Sequence, residues 1–223
     1  MQIMFSNGRR RVTGPAIFMD RDGVINRRRA DDYVLEWSQF AFMPGIREAL
    51  RDVSMLRLPM IVISNQSAVG RGLLKPSVLQ QITSQFHRAL LEQGSSLTAV
   101  YYCTHRPDDN CSCRKPKPAL LNKAAADFNI DLSRSIFIGD ADTDVQAAQA
   151  AGCHPVLFGP GLSSSSGSLD WVADLPVART AKELFQVAVD SLRAANRLSE
   201  AVTPLRIQGM PQALIKPLRH PMS

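Results

Sequence analysis

Two aspartates spaced i, i+2, Asp20 and Asp22, stand directly behind the apolar run Ala16-Ile17-Phe18-Met19 and open the stretch Asp20-Arg21-Asp22-Gly23-Val24-Ile25-Asn26. At the end of a short strand, that spacing turns both carboxylates to one side, and the glycine lets the chain turn away. Like charges so close repel, so at least one of them needs a cation or a proton. The pair suits a divalent-metal site in which one aspartate attacks and the other shuttles a proton. The alternative is a strand end running into an acidic turn.

Three further segments carry candidate chemistry. Ile61-Val62-Ile63-Ser64-Asn65-Gln66-Ser67 ends an apolar run in a hydroxyl and amides. A hydroxyl and backbone N–H groups at such a junction hold phosphate oxygens, although Ser-Asn is also ordinary turn chemistry. Cys103-x-His105-x5-Cys111-x-Cys113 offers three thiolates and one imidazole. This set fits a closed, tetrahedral, structural zinc site around a polar loop with few apolar residues to hold it; reduced cysteines without metal are the alternative. Arg114-Lys115-Pro116-Lys117-Pro118 follows at once, its prolines fixing where the cations point. A lysine held against carboxylates and a phosphate neutralises the charge that develops in phosphoryl transfer; a solvated basic turn is the alternative. Last, Ile136-Phe137-Ile138 runs into Gly139-Asp140-Ala141-Asp142-Thr143-Asp144. Asp140 is placed to complete a magnesium site with Asp20. Asp142 and Asp144 open a helix, where carboxylates are favoured regardless of catalysis; Asp144 is a candidate supporting residue.

The elements that must position these residues alternate. Short apolar runs at Ala16–Met19, Met60–Ile63, Ala99–Tyr102, Ile136–Ile138 and Pro155–Phe158, with a weaker one at Trp171–Ala173, read as buried strands. Helical patterns lie between them, near Gly45–Arg57, Ser77–Gln93, Pro118–Phe128, Asp142–Ala151 and Ala181–Ala195. The fold class is therefore α/β: a three-layer, Rossmann-like parallel sheet with helices on both faces. Ligands of such sheets bind beyond the carboxyl ends of the strands, and all four polar segments fall there.

With 223 residues and 45% hydrophobic content, the chain is expected to form one domain over residues 14–196. An N-terminal arm (1–13) and a C-terminal tail (197–223), expected to be mobile, flank it. The sequence has no apolar run of about 18 residues, so no membrane span is expected, and no secretory signal is read at the start. Clustered cysteines beside a histidine suit a reducing compartment, and a cytoplasmic location follows as an expectation. The net charge of +6 comes largely from Arg9–Arg11 and Arg27–Arg29. It admits nucleic acid or anionic substrates, but without aromatic-interleaved basic helices small phosphorylated molecules explain it equally well; no nucleic-acid partner is expected, and a monomer is the expected state. Residues 159–168 read as a flexible linker. Cys153, His87 and His154 read as structural.

Together the four segments resemble the haloacid dehalogenase (HAD) superfamily, and within it the zinc-containing histidinol-phosphatase and heptose-bisphosphatase group. The resemblance spans about residues 14–160 in the group's order and spacing. It implies that Asp20 is the nucleophile forming an aspartyl-phosphate, and that Asp22 protonates the leaving oxygen and then activates water. It implies magnesium held by Asp20, the Asp22 carbonyl and Asp140, with structural zinc on Cys103, His105, Cys111 and Cys113. Ser64 and Lys115 would bind the transferring phosphoryl group, while Asn65, Gln66, Ser67, Arg71 and Arg114 would meet the substrate. Ala141 departs from the pattern by standing where a lysine is common, and the stretch after Asn26 is longer than usual, which leaves contacts around Ala30–Tyr33 open.

About forty residues between the first two motifs are too few for a separate cap domain. The zinc loop and the Arg27–Trp37 loop are then expected to rim an open site. Arg71-Gly72 after the Asn-Gln-Ser favours a heptose 1,7-bisphosphate, cut at C7, over histidinol phosphate. A zinc-stapled, non-catalytic binding module is the reading from another class, disfavoured by the complete set Asp20, Asp22, Lys115 and Asp140.

Overall fold

The apolar runs form one seven-stranded sheet. The computed structural model describes residues 2–6, 13–29, 33–159 and 175–207, by backbone alone for 2–6 and 198–207. In chain order these are β1 (Gln2–Ser6), β2 (Ile17–Met19), α1 (Ile46–Ser54), β3 (Met60–Asn65), α2 (Ser67–Gly70), α3 (Pro76–Leu91), β4 (Ala99–Cys103), α4 (Ala119–Phe128), β5 (Ile136–Gly139), α5 (Asp142–Ala150), β6 (His154–Phe158), β7 (Val177–Ala178) and α6 (Ala181–Ile207). The sheet order is β1-β4-β3-β2-β5-β6-β7. All neighbours are parallel except β1, which pairs antiparallel with β4.

Strand alternation builds the three expected layers. Ile17, Met19, Met60, Val62, Val100, Tyr102, Ile136 and Ile138 face one core with side chains of α1, α3 and α6. Phe18, Ile61, Ile63, Ala99, Tyr101 and Phe137 face the other, with α4 and α5. Because both faces are covered, the strands are apolar throughout, and polar residues are tolerated only where the strands end. Between β2 and β3 the described residues add one 3-10 turn (Trp37–Gln39) and α1. No separate cap is formed by them.

The structure adjusts the expected boundaries. Gln2–Ser6, placed in the arm by the sequence reading, form an edge strand. The last helix runs to Ile207, ten residues past the expected start of the tail. The final strand lies at Val177–Ala178, whereas the run Trp171–Ala173 lies outside the described residues, as do Arg9–Arg11, Ala30–Asp32, the linker beyond Gly159 and the tail from 208. Among the described residues no helix is long and apolar enough to cross a membrane. Cys153 is buried, its thiol donating to the Ser135 carbonyl at 3.2 Å, and His154 Nε2 lies 2.9 Å from the Ser133 carbonyl.

Candidate active site

β2, β3, β4 and β5 end on the same rim, so Asp20, Ser64–Ser67, the Cys/His loop and Asp140 converge there. The side chains at their centre meet around Lys115, which is 3% exposed. Its ammonium lies 2.7 Å from Asp144 Oδ1 and 3.0 Å from Asp20 Oδ1, and donates to the Ile63 carbonyl at 3.0 Å. An unpaired lysine at that depth would lose its proton; the two carboxylates outweigh burial and hold its pKa above the usual lysine value. Asn65 clamps the same residue by its backbone, accepting from Lys115 N at 3.1 Å and donating to Lys115 O at 3.2 Å. Its amide, expected to meet substrate, is engaged in positioning the lysine.

Asp20 is crowded by negative charge. Burial pushes its carboxyl up to about 7; Lys115 opposes the shift, and the Asp144 and Asp22 carboxylates reinforce it. The backbone N–H of Arg21 donates to Asp20 Oδ1 at 2.7 Å. Asp22 behaves oppositely. Burial again raises its pKa, but the Arg21 guanidinium and donors from Asn26 and Gln66 outweigh it and hold the carboxyl below the usual range. Arg21 Nη2 lies 2.9 Å from Asp22 Oδ1, Asn26 Nδ2 donates at 2.8 Å and Gln66 Nε2 at 2.7 Å. Arg21 itself is buried against the Tyr102 ring, its carbon Cζ 5.9 Å from the centroid.

Asp140 follows β5 and reaches over Gly23. A Cβ on Gly23, whose φ is +90°, would stand 1.8 Å from Asp140 Oδ2, so the turn after Asp22 has room only for glycine. Arg28 pairs with both oxygens of Asp140, Nη2 to Oδ1 at 2.7 Å and Nε to Oδ2 at 3.0 Å. Burial raises the Asp140 pKa against this pairing. Asp144, in the first turn of α5, accepts from the backbone N–H groups of Asp140 and Ala141, both at 3.2 Å, and so joins the strand end to Lys115.

A cavity of about 500 Å³ opens over these groups. Of the residues singled out in the sequence, Asp20, Asp22, Asn65, Gln66, Ser67, Arg114 and Lys115 line it. Ser64 lies just beneath, buried, its Oγ 3.2 Å from Gln66 Nε2. Ser67 Oγ is 3.3 Å from Tyr33 Oη. Arg71 is exposed and is not among the lining residues. Sequence reasoning missed the buried role of Arg21 and the reach of Arg28 to Asp140; an arginine set between two aspartates at a buried strand end was the available signal for the former. From the Arg27–Trp37 loop come Arg28, Arg29, Tyr33 and Val34.

Two donor sets could hold metals. Asp20, Asp140 and Asp144 offer carboxylate oxygens within 4.8 Å of one another. Octahedral Mg2+ with ligands at about 2.1 Å separates its oxygens by about 3 to 4.2 Å, which this set accommodates. Three carboxylates there face the two cations Lys115 and Arg28, and a divalent ion would relieve the surplus. The second set is Cys103, His105, Cys111 and Cys113. Cys103 Sγ is 3.6 Å from Cys111 Sγ and 3.7 Å from His105 Nδ1, and Cys113 Sγ is 3.7 Å from Cys111 Sγ and 3.3 Å from His105 Nδ1. A tetrahedron with arms of about 2.0–2.3 Å has edges of about 3.5–3.8 Å, close to these distances, so the four donors could hold Zn2+. Burial pushes the Cys103 thiol up to about 12, a cost that a bound cation would remove. Lys117 Nζ donates to the Cys111 carbonyl at 2.7 Å and steadies the loop.

The phosphate-loop candidate rests on this Cys/His loop. A Cβ on Gly70 would lie 2.5 Å from the Thr104 carbonyl oxygen and 2.9 Å from Arg106 N, both backbone atoms. Alanine normally favours a helix by about 1 kcal/mol over glycine. Here the clash outweighs that gain: we expect Gly70→Ala to destabilise by about 1–3 kcal/mol, read as a lower urea midpoint at unchanged slope.

A parallel α/β sheet with acid residues after β2 and β5, a buried lysine between them and a Ser-Asn-Gln-Ser loop after β3 defines a HAD-like hydrolase of the phosphatase kind. A HAD-hydrolase-like family model matches residues 112–184. A heptose-1,7-bisphosphate 7-phosphatase of Helicobacter pylori strain J99 is 40% identical over 137 residues, 61% of this chain and 78% of that one. A Yersinia pestis protein of the same name is 33% identical over 183 residues, 75% and 96% of the two chains. The crystal structure of a D,D-heptose 1,7-bisphosphate phosphatase from B. bronchiseptica, complexed with magnesium and phosphate, superposes with a TM-score of 0.66 at 29% identity, covering 84% of this chain and 99% of that one. The chain belongs to the D-glycero-β-D-manno-heptose-1,7-bisphosphate 7-phosphatase family of HAD-like hydrolases.

Proposed function

We propose that the chain removes the C7 phosphate of D-glycero-D-manno-heptose 1,7-bisphosphate through an aspartyl-phosphate on Asp20. The observation that carries this reading is the Asp20–Lys115–Asp144 cluster at a cavity that Arg28, Arg29 and Arg114 also line. Asp20, the Asp22 carbonyl and Asp140 would hold magnesium, which would supply Lewis-acid stabilisation of the phosphoryl oxygens. Asp20 attacks phosphorus and forms a new P–O bond; the P–O bond to the sugar breaks, and the sugar oxygen takes the proton of the Asp22 carboxyl. Lys115 and the Ser64 hydroxyl hold the transferring group, and Lys115 balances its charge. Water then attacks the phosphorus of the acyl phosphate, giving its proton to Asp22 and restoring the Asp20 carboxylate.

Asp22 as arranged suits this second step, since Arg21, Asn26 and Gln66 keep it ionised and ready to accept a proton. Donating a proton in the first step requires its side chain to leave the Arg21 pairing. Zinc on the three cysteines and His105 staples the loop and leaves no position open for chemistry. Arg114, whose Nη1 is buried at the cavity with no hydrogen-bond partner, is suited to the substrate's anionic side.

A side-by-side assay of Mg2+-dependent phosphate release tests the substrate. We expect kcat/KM on the heptose bisphosphate to exceed that on histidinol phosphate by about a hundredfold or more, as a site built for two anions rejects a substrate that leaves its cations unpaired. A higher value on histidinol phosphate would overturn the choice.

A further inference from the structure

Arg28 pairs with the carboxylate that the magnesium reading needs. Its fork engages both Asp140 oxygens, at 2.7 and 3.0 Å, and one of those oxygens is the atom that Asp140 offers to the cation set. A divalent ion on that carboxylate would bring two positive charges within a few ångströms of the guanidinium and repel it.

The backbone leading to Arg28 is fixed. Asn26 is buried, with its side chain on Asp22 and on the Arg27 carbonyl, and Arg27 N donates to the Ala41 carbonyl at 2.8 Å. The Arg28 side chain, by contrast, is 52% exposed and lines the cavity. It can therefore leave Asp140 by rotation of its own torsions, without moving the loop. Ala141, next to Asp140, carries no charge, and of the basic residues lining the cavity with Arg28, Arg21 is paired with Asp22 and Lys115 with Asp20 and Asp144.

We propose that Arg28 is an anion-binding residue that Asp140 holds in reserve: a divalent cation taking Asp140 releases the guanidinium, which then binds the second phosphate of a bisphosphate substrate. Metal loading and substrate capture are thereby ordered, the ion first and the bisphosphate second. This inference rests on the magnesium-phosphatase reading above. A permanent structural ion pair, in which Arg28 stays on Asp140 throughout, is the competing account.

The test uses the full chain and its Arg28→Ala and Arg28→Lys variants. Calorimetric titration with Mg2+ alone is expected to show Arg28→Ala binding the ion about tenfold more tightly than wild type, because the competitor is gone. At saturating Mg2+, Arg28→Ala is expected to raise KM for the heptose 1,7-bisphosphate by about tenfold more than KM for the 7-monophosphate, with Arg28→Lys recovering part of that loss. Equal or weaker Mg2+ binding in Arg28→Ala, or equal KM changes for the two esters, overturns the inference while leaving the phosphatase reading intact. If wild type and both variants bind no Mg2+ and release no phosphate, the phosphatase reading fails and the inference falls with it.

Discussion

Asp20→Asn is expected to lower the rate of phosphate release by about 10⁴-fold or more, since a carboxamide cannot form the acyl phosphate and no neighbour stands in the same place. The side chain is isosteric, and its oxygen still accepts from the Arg21 N–H and from Lys115. The fold should therefore survive. Thermal stability should match or exceed that of wild type, because a buried carboxylate crowded by Asp144 and Asp22 is neutralised and Lys115 is left one to one with Asp144. Retention of the melting temperature with loss of turnover separates chemistry from structure. Turnover within about tenfold of wild type would remove Asp20 from the mechanism, because general acid–base help alone is worth about 10²–10⁴.

Loss of the zinc is expected to have the largest effect on stability. The segment from His105 to Ser112 is polar and mostly exposed, with little apolar burial to hold it. We expect a single zinc ion per chain by elemental analysis. Removing it with a chelator, or replacing Cys111 with serine, should destabilise by about 3 kcal/mol or more, a fall in Tm of about 6–12 °C for a chain of this size. Turnover should fall with it, since Cys113 precedes Lys115 by two residues. Zinc-free protein that melts and turns over as wild type does would refute the staple.

Much of the rim was legible because the strands are apolar throughout. Against Ile17–Met19 or Ile136–Ile138, any acid residue at a strand end stands out, and the topology carries four such ends to one place. The three-layer sheet and the metal-compatible spacing of Cys103, His105, Cys111 and Cys113 follow from patterns a few residues long. Side-chain pairing across the chain is another matter. Arg28 and Asp140 are 112 positions apart, and an arginine triplet reads as a solvated surface until the fold sets it over the cavity. The resemblance assigned Asn65 to the substrate; only the folded backbone shows both of its amide atoms engaged on Lys115. Gln2–Ser6 carried too short a pattern to mark an edge strand, since its partner β4 lies nearly a hundred residues on.

The two-residue link from Cys113 to Lys115 joins soft-metal chemistry to phosphate chemistry without any sulfur entering the reaction. Oxidants or cadmium, which attack or displace thiolate-bound zinc, would act on this chain as poisons of a phosphoryl-transfer step. With zinc bound there, the redox state of its surroundings would become a second control on turnover, set by a loop whose cysteines do not line the cavity.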